Sequence, residues 1–485
     1  MWGSCRSFFI IVLCIDFAFL LSLFYIDIDA WRKTSSKIMR FSGLIFDNNP
    51  QTPDFLRPSI GPFYNSPSSC SCRNNQSAAQ FVSKDELEDL QRRRAEEYRQ
   101  HQIRTGRAND VLVLAPPNTP LQYPIRGFRV NPMNKTFIPG LAVQTQNRKL
   151  YKVSLRVQKG LLSVMDVKED EKIVFGQNEG NLTISSSSLD HLNELLSRVT
   201  YTSTIFHIKT EDLAYFSFEN HEVIFPIEIR RQSVPKLYDP GKDINSQVTV
   251  LVKAFLRYKG LNALIQSIRV NYPKIKIIVA DDSLKPEKVL GDNIEHYIMP
   301  PAQGWFAGRN LAVSQVTTKY FLWVDDDFVF LNDTRIERFV EVMEAVPELD
   351  VVGGQVERNP FAFTLNYEEG NSEEGGCISR FRGSYAPLPG FKGCFFVDGV
   401  VNYFLGRTDA VRKVGFDPFL KRVGHSEFFI DGLGELLVVT CQGLRIGHQK
   451  KTNAPKYEKY RNPPKADSEN KLTHLYFKNH LKCLN

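Results

Sequence analysis

The chain has 485 residues, of which 42% are hydrophobic, and a formal net charge of +7. This composition is ordinary for a globular protein and ample for a hydrophobic core, and the length suggests about three folded units of ~150 residues. No motif points to nucleic acid. Much of the basic excess lies in residues 449–485, where it fits a solvated tail or, alternatively, a patch facing an acidic membrane or acceptor.

The N-terminus carries an apolar run from Phe8 to Tyr25, interrupted by Asp16, which predicts a membrane anchor over 8–26 after a cytoplasmic tail at 1–7. Its length fits a short membrane span better than a cleaved signal peptide. The basic residues after the run argue for a cytosolic body, whereas six later cysteines and several glycosylation sequons are compatible with an oxidising lumen. We expect a single-pass protein with a lumenal body. The sequons are at Asn75, Asn134, Asn181 and Asn332.

Residues 27–109 are expected to form a lumenal stem. Up to about residue 80 they are rich in Pro, Ser and Asn without periodicity, which is typical of a linker. Cys70 and Cys72 lie in this linker and fit pairing with distant cysteines better than with each other. The capping box Ser83-x-x-Glu86 then predicts a highly charged, solvated helix.

The region 110–233 alternates short β-forming segments with turn signals, at a spacing typical of a small β-sandwich. One helix is expected near Leu189–Leu196. This region shows no catalytic constellation, and we interpret it as a spacer or docking domain. The expected strands are Asp110–Ala115, Tyr151–Val157, Asn181–Ile184, Arg198–Thr202 and Glu222–Ile229.

After a Pro- and Gly-containing linker at 234–247, strands alternate with helices, which predicts an α/β catalytic domain with a largely parallel sheet over 248–485. Two strand ends carry acids to the same edge of this sheet, namely Asp281-Asp282 and Asp325 to Asp327. A crevice at that edge suits a nucleotide and its metal. The expected strands are Val248–Phe255, Lys276–Ala280 and Ile294–Ile298, and the expected helices are Tyr258–Tyr272 and Trp305–Val316.

The acidic triplet follows the apolar run Phe321–Val324, which predicts a buried strand that ends at the acids. Because alternate residues of an extended chain share a face, we expect Asp325 and Asp327 to point together. Paired carboxylates suit a hard divalent cation that shares its ligands with phosphates. This Asp-x-Asp arrangement is that of metal-dependent nucleotide-sugar transferases, and an acidic turn or a structural cation site is the alternative.

A sugar-nucleotide donor needs a neutralised diphosphate, polar anchors for its base and ribose, and a general base for the acceptor hydroxyl. We assign Asp281 and Asp282 to the nucleoside and place Asp326 with the donor-binding residues. Arg309 is assigned to phosphate, which arginine bonds bidentately. An ordinary salt bridge on a helix is the alternative for Arg309.

The acceptor side is expected further along the chain. Asp398 and Asn402 are assigned to acceptor binding. Glu427 and Asp431 are four residues apart and share a face if helical, so one is expected to be the base and the other to orient it or the acceptor. His448 is a candidate third metal ligand, with a structural role as the alternative.

With these residues assembled, the chain resembles the β-1,4-N-acetylgalactosaminyltransferases of the ganglioside-synthase type and, almost as closely, the Sda/Cad blood-group transferase. The resemblance runs from about Ala115 to Cys483 and is carried by long stretches. The most specific are Gly304–Tyr320, Trp323–Phe328, Val400–Asn402, Gly415–Pro418 and Ser426–Gly434.

The resemblance implies a GT-A domain that transfers N-acetylgalactosamine from UDP-N-acetylgalactosamine, with inversion, to a galactose of a sialylated glycolipid. The same transfer to sialylated glycoproteins is the alternative. It implies Mn²⁺ or Mg²⁺ held by Asp325, Asp327 and His448, with Glu427 as first choice for the base and Asp431 as second. It further implies a type II Golgi membrane protein that forms a disulfide-linked homodimer.

The same resemblance suggests partners for the cysteines. Cys70 and Cys72 are expected to bond Cys377 and Cys483 of the partner chain, because members of this family look like disulfide-linked dimers. Cys394 is expected to bond Cys441 within the catalytic domain. Spacing by itself leaves the connectivity open.

Two departures from the family pattern bear on activity. Val252 and Ala254 stand where the family has Thr, so uridine contacts or turnover are expected to change. Pro301-Ala-Gln303 replaces Phe-Gly-Lys, which removes a lysine near the donor. These changes keep a non-catalytic lumenal glycan-binding or scaffold protein as the alternative from another functional class, against which the intact acidic set argues.

Overall fold

The computed structural model describes residues 70, 72, 77–106, 119–167, 174–359, 361–421, 425–450, 457, 460 and 465–485. The expected anchor at 8–26, the expected strand Asp110–Ala115 and the sequon at Asn75 lie outside the described residues. Among the described residues, no helix combines the length and the apolar character that a membrane crossing needs.

The stem helix α1 spans Lys84–Thr105 and is docked on the C-terminal part of the chain rather than solvated on all sides. Arg94 is buried and donates hydrogen bonds to the backbone carbonyl of Leu481 at 2.8 Å. Tyr98 stacks on His480 with ring centroids 4.1 Å apart. Ser83 is the N-cap residue, but its side chain makes no capping hydrogen bond, so the predicted capping box is not formed.

Strands between residues 121 and 230 form sheets around one core. Helix α2, Leu189–Ser197, packs against them through three buried leucines. Every second residue of the two longest strands is buried, as expected for strands with one face on a core. The strands are β1 Leu121–Gln122, β2 Phe128–Val130, β3 Thr136–Phe137, β4 Ala142–Val143, β5 Tyr151–Arg156, β6 Gly160–Val164, β7 Val174–Phe175, β8 Asn181–Ser186, β9 Val199–Ser203, β10 Lys209–Phe218 and β11 His221–Arg230.

In this region one sheet has the order β2-β11-β10-β5-β8-β7 and another has the order β3-β9-β6, while β1 pairs with β4. Buried side chains of both larger sheets belong to the same hydrophobic cluster. The expected strands that fall on described residues are present, with ends shifted by one or two residues. Strand β10, the central strand that pairs with both β5 and β11, is not among the strands expected from the sequence.

The α/β region is built on a mixed sheet with the order β14-β13-β12-β15-β22-β17-β23-β16, and β20 pairs with β23. The first four of these strands run parallel, as predicted. The strands are β12 Val248–Ala254, β13 Lys276–Asp281, β14 Ile294–Ile298, β15 Tyr320–Asp325, β16 Phe328–Val329, β17 Val351–Val356, β18 Ala362–Asn371, β19 Gly375–Phe381, β20 Cys394–Val397, β21 Gly399–Val400, β22 Phe404–Arg407, β23 Val438–His448 and β24 Leu481–Leu484.

Helices cover both faces of this sheet, so its central strands are buried on both sides. Strand β12 is buried along its whole length. The helices are α3 Ile244–Gln247, α4 Tyr258–Asn271, α5 Trp305–Ser314, α6 Glu337–Ala345, α7 Thr408–Val414, α8 His425–Asp431 and α9 Lys465–Lys478. The predicted helices at 258 and 305 are thus confirmed, each ending one or two residues early.

The described cysteines form the expected pairs. Cys70 bonds Cys377 and Cys72 bonds Cys483, while Cys394 bonds Cys441 across the β20–β23 ladder. The first two bonds form within one chain, although they were expected to form between two chains. The physical reason is that β19 and β24 are adjacent with Cys377 beside Cys483, so one stem segment reaches both.

Three sequons fall on described residues. Asn134, Asn181 and Asn332 are all exposed, in keeping with the predicted glycosylation sites. The hydroxyl residue of the third sequon is different in character: Thr334 is fully buried and donates to the carbonyl of Arg445 at 2.8 Å. That threonine therefore has a structural role of its own.

Candidate active site

Strand β15 carries the acidic triplet to the carboxyl edge of the parallel strands. Its alternating residues enter opposite cores: Leu322 and Val324 lie in one hydrophobic cluster and Trp323 in the other. The strand ends at Asp325, and the next two acids form a turn before β16. Strand alternation therefore does not extend to Asp327, because the chain turns after Asp325.

Asp325 is held by two side chains. Its Oδ1 accepts from the indole N–H of Trp323 at 3.2 Å, and its Oδ2 accepts from the Asn402 amide at 3.3 Å. Burial raises the pKa of Asp325 to about 6, an effect that Arg309 opposes and the neighbouring Asp327 carboxylate strengthens. Asn402, predicted to bind acceptor, is thus placed beside the predicted metal site.

Arg309 is not exposed to phosphate in this structure. Its side chain is completely buried, and its guanidinium lies 4.1 Å from the Trp305 ring and 4.3 Å from the Trp323 ring. It donates to the side-chain oxygen Oδ1 of Asn402 at 2.9 Å, while no described group accepts from its Nε. Burial lowers the pKa of Arg309 to about 9, and Asp325 opposes this. Arg309 therefore acts on Asp325 through Asn402.

Asp327 faces His448, as predicted. The distance from His448 Nε2 to Asp327 Oδ2 is 3.5 Å. The other ring nitrogen, Nδ1, lies 2.6 Å from the carbonyl oxygen of Gln449 and so carries the proton. A backbone carbonyl on one nitrogen is the usual support for a metal-binding histidine, because it fixes the ring and leaves the other nitrogen as an acceptor.

These three side chains fit a hard divalent cation in type, since they offer carboxylate oxygens and an imidazole nitrogen. Their donor atoms do not all lie close to one another in this structure. In the described part of the chain, the only three candidate ligands whose donor atoms lie within 4.8 Å of one another are the disulfide-bonded Cys70, Cys377 and Cys483. At least one of the two distances from a donor atom of Asp325, to Asp327 and to His448, therefore exceeds 4.8 Å.

Arg257 forms ion pairs with two acids of the triplet, Asp326 and Asp327. It donates to Asp327 Oδ2 at 2.7 Å and forms a two-pronged ion pair with Asp326. Burial raises the pKa of Asp326 to about 7 even though Arg257 opposes this. The guanidinium also lies 4.6 Å from the ring of Tyr457. Asp326 is thus a buried partner of Arg257, which also pairs with the predicted metal ligand Asp327.

The acids at the end of β13 are turned inward. Asp281 is fully buried and accepts from Tyr258 at 2.6 Å, from the Ser283 amide at 2.9 Å and from His296. Burial opposes ionisation, but the hydrogen bonds from Ser283 and Tyr258 outweigh it, so the pKa of Asp281 is lowered. Such a carboxylate is ionised and fully engaged, and it holds the strand end together.

Asp282 is also buried, at 1% exposure, and pairs with Lys253. Its second oxygen accepts from the Gly304 amide at 2.7 Å. Gly304 has φ +102°, and a Cβ there would meet the Lys421 backbone at 2.9 Å. Asp282 therefore anchors the glycine that begins helix α5, which carries Arg309.

Glu427 lies on helix α8 and is 7% exposed. Its Oε2 has no hydrogen-bond partner among the described residues. Burial raises the pKa of Glu427, and the Asp431 charge adds to that rise. The helix is tied to the acidic edge by His425, whose Nε2 lies 2.5 Å from the Val400 carbonyl, two residues before Asn402. An unpartnered, partly desolvated carboxylate is what a general base needs.

Asp431, the other candidate base, is already engaged. Its carboxylate accepts from Lys478 at 2.5 Å, and Lys478 also donates to Asp417. Burial raises the pKa of Asp431, while Lys478 opposes this. Of these two acids, Glu427 is therefore the one with a carboxylate oxygen that has no hydrogen-bond partner among the described residues. Asp398, predicted to bind acceptor, accepts from the backbone N–H of Leu365 at 2.6 Å through its Oδ2.

Comparison with known proteins decides the family. A family model described as Glycosyl transferase family 2 matches residues 249–414. β-1,4 N-acetylgalactosaminyltransferase 2 of Mus musculus is 44% identical over 431 residues, which cover 85% of this chain and 84% of that protein. This chain belongs to the β-1,4 N-acetylgalactosaminyltransferase family. Its α/β region is a glycosyltransferase domain of the GT-A class.

β-1,4 N-acetylgalactosaminyltransferase 1 of Homo sapiens is also 44% identical, over 82% of this chain and 79% of the human protein. The resemblance inferred from sequence is thus confirmed, and equal identity does not separate the two members. A solved structure of S. aureus TarS in complex with UDP-GlcNAc aligns with 43% of this chain and 60% of its own, at 15% identity and a TM-score of 0.32. That similarity adds nothing to the assignment.

The two departures of this glycosyltransferase from its family take on a physical meaning. Val252 and Ala254 are buried in the hydrophobic core cluster, so a threonine hydroxyl in their place would face the core. They bear on packing rather than on exposed donor contacts. Ala302, in the altered loop, has φ +57°. The glycine expected at this position in the family would adopt that conformation without strain.

Two cationic side chains at the site of this glycosyltransferase were not predicted from the sequence. Lys253 ends up beside Asp282, and Arg257 ends up beside Asp326 and Asp327. Lys253 lies near the carboxyl end of β12 and Arg257 comes shortly after it, and this strand end lies at the same edge as the acids. The rule that selected the acidic strand ends would therefore have selected these cations, had it been applied to β12.

Proposed function

We propose that this protein transfers N-acetylgalactosamine in β-1,4 linkage from UDP-N-acetylgalactosamine to a galactose of a sialylated glycolipid. The observation that carries the proposal is the unpartnered carboxylate oxygen Oε2 of Glu427, on a helix held beside the Asp325–Asn402 pair. The printed names of two relatives that are 44% identical support the sugar and the linkage. Transfer to sialylated glycoproteins is the alternative acceptor.

The reaction follows from these positions. Glu427 accepts the proton of the acceptor hydroxyl while that oxygen forms a bond to the anomeric carbon. The bond from the anomeric carbon to the diphosphate breaks, UDP leaves, and attack from the opposite face inverts the configuration. Because burial raises its pKa, Glu427 is a stronger base than an exposed carboxylate once it is ionised.

Asp325, Asp327 and His448 would hold a divalent cation, Mn²⁺ or Mg²⁺, which would offset the negative charge of the departing diphosphate. Arg257 has to give up its hydrogen bond to Asp327 for this. The Nη1 group that now donates to Asp327 would then be available to a phosphate oxygen, while the ion pair with Asp326 holds the guanidinium in place. Asn402 and Trp323 keep Asp325 oriented throughout.

The decisive test is transfer of radiolabel from UDP-N-acetylgalactosamine to sialyl-lactosylceramide and, in parallel, to a sialylated N-glycoprotein. We expect transfer to the lipid that requires Mn²⁺ and disappears with chelator and in Asp327→Ala. Transfer to the glycoprotein alone would replace the glycolipid proposal by its alternative. No transfer to either, from folded protein, would favour a glycan-binding or scaffold role.

We further propose a single-pass type II Golgi membrane protein with a lumenal catalytic domain, anchored by 8–26. The exposed sequons at Asn134, Asn181 and Asn332 support a lumenal body. Glycosidase treatment of the protein from cells should reduce its apparent mass, and each Asn→Gln change should remove one step. Full resistance to glycosidase would contradict the topology.

A disulfide-linked homodimer is part of the same proposal. The pairs Cys70–Cys377 and Cys72–Cys483 close within the chain here, and exchange of the stem segment between two chains would form the same pairs between them. Non-reducing electrophoresis should show a dimer that Cys70→Ser/Cys72→Ser converts to monomer. A monomer in wild-type protein would show that the bonds close as in this structure.

A further inference from the structure

We propose that Arg380 and Arg382 form an anion-binding subsite that receives a carboxylate of the acceptor glycan beside Glu427. This rests on the proposed function, because it assigns a substrate group to the acceptor side of the same site. The two arginines lie at the end of the β18–β19 hairpin and are both exposed.

Aromatic rings hold both guanidinium groups in place. The Arg380 guanidinium lies 5.6 Å from the centroid of the Phe363 ring, and that of Arg382 lies 4.6 Å from the Phe361 ring. The two phenylalanines are themselves in edge-to-face contact at 5.7 Å. A guanidinium that rests on an aromatic face is ordered in advance, while its N–H edge remains free to bind a ligand.

The same aromatic surface leads to the proposed base. The Phe361 ring lies 5.9 Å from the His425 imidazole, at the start of the helix that carries Glu427. Arg380 donates to Ser426 Oγ at 3.2 Å, and Ser426 directly precedes Glu427. A glycan whose hydroxyl reaches Glu427 therefore has its adjoining residue next to these two cations.

Among the described residues, no Asp or Glu side chain forms an ion pair with Arg380 or Arg382, whereas two other cations of the site are paired with acids. Lys478 is paired with Asp417 and Asp431. Arg257 is paired with the acids of the triplet. Arg380 uses one donor on Ser426 Oγ, and the remaining donors of the two guanidinium groups match a carboxylate, which arginine binds through two parallel hydrogen bonds.

The test uses the full chain in detergent and compares wild type with Arg380→Ala, Arg382→Ala and the double variant. The acceptors are sialyl-lactosylceramide, its carboxyl methyl ester and neutral lactosylceramide. Arg126→Ala is the matched control, since Arg126 is an exposed arginine on a turn of the N-terminal sheets. Acceptor-independent hydrolysis of UDP-N-acetylgalactosamine reports whether the donor side is intact.

We expect the double variant to lose about 10- to 100-fold in kcat/KM on the acidic lipid, mainly through KM, since charge-assisted hydrogen bonds contribute about 1.5–3 kcal/mol. Esterifying the carboxylate should reduce wild-type transfer to the level of the double variant, and the double variant should not respond to the ester. The Arg126→Ala enzyme should keep wild-type transfer on all three acceptors. Equal losses on acidic and neutral lipid, or an undiminished preference for the acid, would overturn the subsite.

A binding measurement separates this proposal from the proposed function. Titration of sialyllactose and of lactose into wild type and double variant, followed by saturation-transfer NMR, needs no turnover. Carboxylate-dependent binding that the double variant loses would support the subsite even if wild type transferred nothing, and only the transferase proposal would then fail. Transfer without any carboxylate-dependent binding would overturn the subsite alone.

Discussion

Arg309 donates to the side-chain oxygen of Asn402 at 2.9 Å, and the Asn402 amide donates to Asp325 at 3.3 Å. A fully buried guanidinium between two indole rings thus reaches a predicted metal ligand through one amide. These two hydrogen bonds form a relay from Arg309 to Asp325. Its direction matters because the side-chain amide of Asn402 could present either its oxygen or its N–H to the carboxylate. With its oxygen held by Arg309, Asn402 can only present its N–H to the carboxylate.

The first prediction concerns this relay. Asn402→Ala should lower the affinity for Mn²⁺ about tenfold, since support residues of metal ligands typically contribute 10- to 100-fold. Isothermal titration with Mn²⁺ measures the affinity, and thermal unfolding shows whether the fold is intact. Asn366→Ala is the matched control, because Asn366 is an exposed asparagine on β18. Unchanged Mn²⁺ affinity in Asn402→Ala would remove the relay from the metal site.

A second prediction concerns pH. The pKa of Asp325 is raised to about 6, so this acid is protonated below that pH and ionised above it. A cation needs the ionised form, and its affinity should therefore fall steeply as the pH drops from 7 to 5. Because Arg309 opposes the rise of this pKa, Arg309→Met should move the midpoint of the loss to higher pH. Titration with Mn²⁺ at several pH values gives both midpoints, and a midpoint near pH 4 in wild type would contradict the prediction.

The third prediction separates the two candidate bases. Glu427→Gln should reduce transfer by about 10²–10⁴-fold, the usual contribution of a general base. Mn²⁺ affinity should be retained, and stability should be equal or higher, because the change removes a buried carboxylate with an unpartnered oxygen. Since burial raises its pKa, wild-type kcat should fall on acidification at a pH above the 4.5 of an ordinary glutamate.

Asp431→Asn is the matched control for Glu427→Gln. Asp431 shares Lys478 with Asp417, so its loss should lower the free energy of unfolding by about 1–2 kcal/mol while transfer falls much less. Urea unfolding and initial rates measure the two effects. Should Asp431→Asn abolish transfer while Glu427→Gln retains it, the assignment of the base would be reversed.

The strands and the acidic edge could be predicted because they rest on local patterns. Apolar runs such as Phe321–Val324 gave the buried strands, and the carboxyl-edge rule selected Asp325 and Asp327. The inward turn of Asp281 and Arg309 could not be predicted. Their partners, Tyr258 and Asn402, are 23 and 93 residues away, and only the tertiary structure brings them together.

The cysteine pairs illustrate the same limit. Resemblance to a family suggested which cysteines pair, but whether a bond closes within or between chains depends on the path of the stem, which has no periodic signal. Strand β10 was missed for a comparable reason: the polar residues Thr210 and Asp212 lie on its buried face, and its identity as a central strand depends on β5 and β11.

A fourth prediction concerns Ala302. A non-glycine residue at φ +57° is strained, so Ala302→Gly should raise the free energy of unfolding by about 1 kcal/mol. The control is Ala263→Gly in the middle of helix α4, where the same substitution should lower stability by about 1 kcal/mol. Urea unfolding of both variants gives opposite signs if the loop has this conformation. Two losses of similar size would show that it does not.

The last prediction concerns the disulfide inside the catalytic domain. Cys394 and Cys441 face each other across the β20–β23 ladder, and their bond spans 47 residues. Removing it in Cys394→Ala/Cys441→Ala should lower the free energy of unfolding by about 3–4 kcal/mol, because the unfolded chain gains the entropy of the opened loop. The pair also lies in the core that supports β23, the strand that ends at His448. The Mn²⁺ affinity of the folded variant should therefore fall as well. Cys70→Ser/Cys72→Ser is the comparison, since it opens the stem bonds and leaves β23 intact. Equal Mn²⁺ affinity in both variants would separate the disulfide from the metal site.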